Sequence, residues 1–371
     1  ATTITRLARH SGSVVPEATW RASPGIRGGR SALVATQAKH FLPTIRQMAI
    51  DTGLPAPVLR SSHAAGTVTM DWARVSPATK ESYLFATYLG FGHIDKLIQY
   101  AQEGGFGLIM LHRKSWRASA GHEEIARTAF PDGLPTLAAV CKRIHAAGLG
   151  VGLHLYGPAV STNDAYVTPV PDKRLFSYAV GKLAAQASAD ATELVLRERP
   201  ALPARPAPDL HPGNLLRLGD EIVRWKRIAP GTPVRLTGCE RGALGTNPAA
   251  HRKGATVRTL VMRHGGLLGD PDSSQPKEIG APLARVVNAC EIDLVFFDAC
   301  AAAAPVNLPE NWYLLNLVLL ASCAQFDHGV MVQWVMGPGR HLAWQQIQRS
   351  ACADGHGVLK RYLDQRMAGI R

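Results

Sequence analysis

One stretch, residues 105–156, constrains the fold more than any other: GFGLIMLHRKSWRASAGHEEIARTAFPDGLPTLAAVCKRIHAAGLGVGLHLY. Residues 106–111 are a short apolar run that stops abruptly at His112, Arg113, Lys114, Ser115 and Trp116. A strand buried on both faces reads as such a continuous run. The turn Phe130-Pro131-Asp132-Gly133 follows, and Leu134, Leu137, Val140, Cys141 and Ile144 then recur at helical spacing. Gly148 stands where that helix needs a left-handed C-terminal cap. Residues 149–153 are a second apolar strand, with His154 and Tyr156 after its end. The pattern predicts a strand, a polar loop, a helix and a strand, with polar groups gathered at the C-terminal ends of the strands. That is the repeating unit of a (β/α)8 barrel, a fold that carries its chemistry at those ends.

The same rhythm returns late in the chain. Residues 282–289 predict a helix with proline in its first turn, and residues 292–297 (IDLVFF) a buried strand ending in Asp298. Residues 312–324 read as a helix, 330–335 as a strand containing Trp334, and 344–353 and 358–367 as further helices. Earlier, 31–52 and 95–102 are helical and 67–72 (TVTMDW) is a strand. Between the two barrel parts the period changes from helical to two. Residues 192–196, 215–218, 221–228 and 234–236 alternate as strands, with Gly, Pro and Asp turns between them and a Pro-rich linker at 200–212. The expected organisation is a basic, unassigned region at 1–60, barrel at 61–182, a small β-rich domain inserted at 183–262, and barrel again at 263–371. The fold class is α/β: a TIM-type barrel with a β-rich insertion in one of its loops.

A chain of 371 residues exceeds the roughly 250 of a bare barrel, and 46% hydrophobic residues supply a packed core. No run of 18 apolar residues occurs, so no membrane span is expected. The net charge of +13 favours polyanionic partners. The basic residues are scattered and lack the aromatic interleaving of a single-strand binder, so nucleic acid is not the expected partner. Six cysteines show no CxxC spacing, and His93, His112, His122, His145 and His154 show neither HxH nor HExxH spacing. No metal site and no cofactor is expected. Two further polar segments are candidates for ligand contact. Residues 161–175, with Asp164 and Tyr166, directly follow a barrel strand and suit a substrate-facing loop. In residues 238–257, Glu240, Arg241 and His251 either face a ligand or Arg241 pairs with an acid inside the β-rich insertion.

Taken together, GLIMLHRKSW, FPDGL, RIHAAGLGVGLHLY, IDLVFFDAC and RSACAD resemble, in this order, the melibiase-type clan of α-galactosidase-like (β/α)8 glycoside hydrolases. The resemblance covers roughly residues 92–157 and 280–357. It implies that Asp298 is a nucleophile and Asp354 an acid/base, with Arg349 beside them. Such a retaining glycosidase sets its two carboxyl groups roughly 5 to 5.5 Å apart. The chain departs from the clan at one point of substance. The acidic pair that binds neutral sugar hydroxyls there is Arg113 and Lys114 here. Two cations favour a carboxylate or sulfate on the sugar, which arginine bonds bidentately. Trp116 is retained and is expected to stack on a sugar ring.

Three functions are compatible with these residues. The first is a hydrolase of an acidic oligo- or polysaccharide, with Asp298 and Asp354 catalytic. His112, Arg113, Lys114, Trp116, His154, Tyr156, Asp164, Tyr166, Trp334 and Arg349 would then bind the substrate. The second is a polysaccharide lyase, with a base among His112, His154, Tyr156 and Tyr166 and with Arg113 and Lys114 neutralising a uronate. The third is a non-catalytic carbohydrate-binding or virion-surface protein, in which the barrel is a scaffold. A glycan substrate favours a secreted or periplasmic location.

Overall fold

The computed structural model describes residues 83–87, 91–156, 159–198, 212–263, 265–270, 273–298 and 321–334. Along the chain come β1 (Tyr83–Ala86), α1 (Ile94–Glu103), β2 (Leu108–Leu111), the single turn α2 (Arg113–Trp116) and the pair β3 (Arg117–Ser119) and β4 (Glu124–Ile125). Helix α3 (Leu134–Ala146) and β5 (Gly150–Tyr156) complete the first part. A run of antiparallel strands follows: β6 (Ala159–Ser161), β7 (Ser177–Lys182), β8 (Glu193–Leu196), β9 (Pro212–Leu218), β10 (Glu221–Arg224), β11 (Arg227–Ala229), β12 (Val234–Thr237), β13 (Thr256–Arg263) and β14 (Gly266–Leu268). The chain returns through α4 (Gln275–Ala289) to β15 (Leu294–Asp298) and β16 (Met331–Trp334).

Five strands form one parallel sheet in the order β1-β2-β5-β15-β16, which is also their order in the chain. A flat sheet of this width would separate its outer strands by about 19 Å at ~4.8 Å per strand. Yet Gln333 Nε2 in β16 donates to Tyr83 Oη in β1 at 2.9 Å. The sheet is therefore strongly curled, with its concave face closed across by side chains. Alternate residues fill the two faces. Leu108, Met110, Leu294, Phe296 and Met331 meet on the concave side, with Tyr83 and Phe85 against them. Ile109, Leu111, Val151, Leu153, Val295, Phe297 and Val332 share the larger core with Leu137, Val140 and Ile144 of α3 and Leu283 and Val287 of α4. The expected barrel is represented by this five-stranded sheet; no pairing of β16 with β1 closes it among the described residues.

The local signals act as their chemistry requires. Leu137, Val140, Cys141 and Ile144 form the buried stripe of α3, which opens after Gly133 (φ 72°) and is closed by Gly148 (φ 78°). Helix α4 begins at Gln275, well before the expected start at 282. Pro276 occupies the first turn, where its missing N–H costs nothing, and Pro282 lies inside the helix. Gly280 of α4 is a contact point: a Cβ there would lie 2.8 Å from Ser322 N and 3.0 Å from the Ala321 carbonyl carbon. Backbone cannot yield as a side-chain tip does. Gly280→Ala is expected to destabilise the protein by about 1–3 kcal/mol, despite alanine's better helix propensity. An unchanged denaturant midpoint would show that the two segments do not pack so closely.

At the opposite end of the sheet from His112 and Asp298, the Asp293 carboxylate ties α3 to β5. Its Oδ2 accepts from His145 Nε2 at 2.9 Å and from Val151 N at 2.8 Å. The hydrogen bond to Asp293 raises the His145 pKa above its usual 6.5, against the smaller opposing effect of burial. Stability from this pair is thus fully present below pH 6.5 and is lost as pH rises through the raised value. The difference in melting temperature between wild type and His145→Gln is expected to be largest in mildly acidic buffer and to shrink toward alkaline pH. A difference constant with pH would remove the charge from the explanation.

The antiparallel region begins at β6 and ends at β14, beyond the expected limits of 183 and 262 on both sides. Its main sheet runs β10-β9-β13-β14-β6, with β7 on the other part of β13, and β11-β12-β8 form a second sheet. The sequence elements expected at 31–52, 67–72, 344–353 and 358–367 lie outside the described residues, as do most of 312–324 and all of the Pro-rich linker except Pro212, which begins β9.

Candidate functional site at the strand ends

Register and alternation decide which polar residues meet. Phe296 pairs with His154 and Asp298 with Tyr156, while Leu111 pairs with Leu153. His112, His154, Tyr156 and Asp298 each continue the concave-face parity of their strands, so they converge at the C-terminal end of the curled sheet. The His154 ring is the centre. It stacks on His112 with centroids 4.7 Å apart, and Phe85 and Phe296 present edges at 5.2 and 5.1 Å. Its Nδ1 accepts from the Arg113 backbone N–H at 3.4 Å, and its Nε2 hydrogen-bonds Asp298 Oδ2 at 3.1 Å. His154 is 2% exposed and the Asp298 side chain 26%. A buried imidazole thus orients a carboxylate that opens to solvent.

His112 caps α2, its Nδ1 accepting from Lys114 N at 3.3 Å. Burial lowers its pKa to about 4, and His154, Arg113 and Lys114 push in the same direction. It is neutral at pH 7, with its ring lone pair spent on the backbone. In this arrangement Nδ1 of each histidine is engaged by a backbone N–H, at 3.3 Å for His112 and 3.4 Å for His154.

Arg113 sits over the Tyr156 ring, its guanidinium carbon 3.9 Å from the ring centroid. No carboxylate pairs with it among the described residues. Beside it is a cavity of about 140 Å³ bounded by Arg113, Arg117, Ser119, Tyr156, Ser161 and Gly266. Lys114, expected to act with Arg113, is exposed and does not line this cavity. The second cation there is Arg117, which no sequence motif singles out. Its four-residue offset from Arg113 in RKSWR is the available signal, since α2 is one turn long and returns the chain to the same side.

Three other expected ligands have structural positions. Trp116 is fully buried in the outer core, and its Nε1 donates to the His154 carbonyl at 3.0 Å. It supports the strand end from behind and presents no face to a sugar. The short turn α2 folds it inward, where a large ring with a satisfied N–H is most stable. Asp164 is 2% exposed and accepts from His122 N and Nδ1 at 2.9 and 2.8 Å and from Tyr166 N at 2.9 Å. It fastens the 161–175 loop to the loop after β3, close enough that a Cβ on Gly121 would lie 2.8 Å from its Cγ. Tyr166 stacks on His122 at 4.4 Å, and its hydroxyl donates to Glu278 Oε2 at 3.5 Å. Burial, with Glu278 adding to it, raises its pKa. Neither residue joins the Asp298 cluster. Trp334 ends β16, but its side chain lies outside the described residues, as do Arg349 and Asp354.

The polar loop at 238–251 resolves as structure. Glu221 is fully buried, and Arg241 Nε and Nη2 donate to its two oxygens at 2.8 and 2.6 Å. His251 Nε2, Gly242 N and Ala249 N complete its shell at 2.8, 3.0 and 3.1 Å. Glu240 pairs with Arg224 at 2.9 Å. Arg241 and His251 are thus committed to an internal acid, not to a ligand.

No group of His, Cys, Asp and Glu able to hold a metal ion occurs among the described residues. No helix among them is long and apolar enough to cross a membrane. The sequence matches no protein-family model and no curated protein. Among solved structures it is similar to an α-galactosidase from Lactobacillus brevis, at 11% identity and a TM-score of 0.41, over 79% of this chain and 32% of that one. A Geobacillus stearothermophilus α-galactosidase gives 14% identity and 0.41, over 78% and 33% of the two chains. A trehalose-6-phosphate hydrolase from Bacillus licheniformis gives 10% and 0.40, over 70% and 45%. The chain spans about a third of the length of the two α-galactosidases it matches.

Proposed function

We propose that the chain is a glycoside hydrolase-like enzyme that cleaves glycosidic bonds in an acidic glycan, uronate-bearing or sulfated, with Asp298 as nucleophile. The observation that carries this reading is the Asp298 carboxylate: it stands at a parallel strand's C-terminal end, held by a buried imidazole and open to solvent. Asp298 would attack the anomeric carbon while a second carboxyl group gives its proton to the departing oxygen. The glycosyl ester formed would then be hydrolysed by water that the second group deprotonates. Asp354 is the residue proposed for that second role. Arg113, without a carboxylate partner among the described residues, together with the net charge of +13, favours a negatively charged sugar.

The test is turnover of a panel of uronate-containing and sulfated polysaccharides, followed by reducing ends and near-ultraviolet absorbance together. Reducing ends without absorbance support hydrolysis. An unsaturated uronide, seen as absorbance, would replace the reading with elimination. Binding without either signal would leave a carbohydrate-binding protein.

A further inference from the structure

We infer that the cavity beside Tyr156 is a subsite for one oxyanion substituent of the sugar, carboxylate or sulfate, read by Arg113 and Arg117 together. The inference rests on the carbohydrate reading above and names the part of the glycan that the site selects. Four observations converge. First, the cavity of about 140 Å³ is large enough to admit a charged substituent with its immediate carbon. Second, two guanidinium groups line it, one of them without an anionic partner among the described residues. Third, the lining between the two cations is polar, with Ser119 and Ser161 among it. Fourth, both cations are held in place. Arg113 rests on Tyr156, and Arg117, 8% exposed, is ion-paired through Nη2 to the buried Glu123.

The position fits the chemistry. Tyr156 pairs in register with Asp298, so the substituent would be anchored next to the strand end that carries the nucleophile. The opposite wall comes from the antiparallel region, through Ala159 and Ser161 of β6 and Gly266 of β14. Gly266 is required there, because a Cβ would lie 2.7 Å from the Val160 carbonyl oxygen. The pocket is thus made jointly by the parallel sheet and the antiparallel strands. An oxyanion entering it exchanges water for preset planar donors, which is where arginine exceeds lysine.

The experiment compares affinities of the full chain carrying Asp298→Asn, so that no turnover intrudes. The probes are a uronate-containing tetrasaccharide, the same tetrasaccharide with its carboxyl groups reduced to alcohols, a sulfated tetrasaccharide, and inorganic sulfate. The inference expects one of the two charged sugars to bind at least about tenfold more tightly than the reduced one. That preference should collapse in Arg113→Gln and fall severalfold in Arg117→Lys, which keeps the charge on Glu123 and loses the planar fork. Equal affinity for charged and reduced sugars overturns the subsite, as does a preference untouched by both variants. Binding of inorganic sulfate without any preference among the sugars also overturns it, because the ligand is then a free anion. Failure of the hydrolase reading looks different: discrimination persists while wild type turns nothing over.

Discussion

Asp298→Asn is expected to lower turnover of the cleaved glycan by roughly 10⁴-fold or more, while changing its affinity only about threefold. The amide has the same shape and its oxygen accepts the His154 Nε2 proton as the carboxylate does, so the concave face need not repack. It cannot form the glycosyl ester, because an amide oxygen is a far weaker nucleophile than a carboxylate. The steady-state rate of reducing-end release, together with the dissociation constant on the same glycan, checks both halves. A variant retaining a tenth of wild-type activity would remove Asp298 from the chemistry. A variant losing affinity as steeply as rate would make it a binding residue instead.

Glu221→Gln is expected to cost about 3–5 kcal/mol. Burial favours the protonated form of Glu221, but hydrogen bonds from Arg241, His251 and two backbone amides outweigh it and hold the pKa below 4.5. The carboxylate is therefore the form that the loop is built around. Glutamine removes the charge, leaves Arg241 buried against an amide, and places an NH2 where Arg241, His251, Gly242 and Ala249 all donate. Denaturant unfolding and limited proteolysis within 238–251 read the effect. The wild-type contribution is present above pH 4.5 and is lost as pH falls through the depressed value, so variant and wild type should converge in acid. A variant of wild-type stability at neutral pH would show that the loop is held by its turns alone.

Much of the frame is legible in the sequence because it follows from local rules. The apolar run before His112, the helical recurrence of Leu137, Val140, Cys141 and Ile144, and Gly148 after them are set by burial, periodicity and backbone handedness. Strand ends with polar residues are legible for the same reason. The start of α4 is not, because Pro276 and Pro282 both satisfy the first-turn rule, and only packing against 321–322 chooses between them. Glu221 carries a sequence signal of its own: it is in phase with Val223 and Trp225, both buried, and an acid on a buried face implies a partnered acid.

The site itself divides along the same line. That His112, His154, Tyr156 and Asp298 end their strands is a property of the sequence. That they share one face depends on the register of β2, β5 and β15, which no single strand contains. Side-chain direction depends on still more distant contacts. The same short turn that aims Arg113 across Tyr156 sends Trp116 into the core and turns Lys114 to solvent. Arg117 then joins the cavity through a strand the sequence did not announce. The sequence by itself determined which residues are polar at strand ends and where the chain changes from helical period to alternation, because those are properties of neighbours along the chain. Tertiary structure alone decided which cation faces the Asp298 cluster and which tryptophan face is hidden, because each depends on contacts between residues distant in sequence.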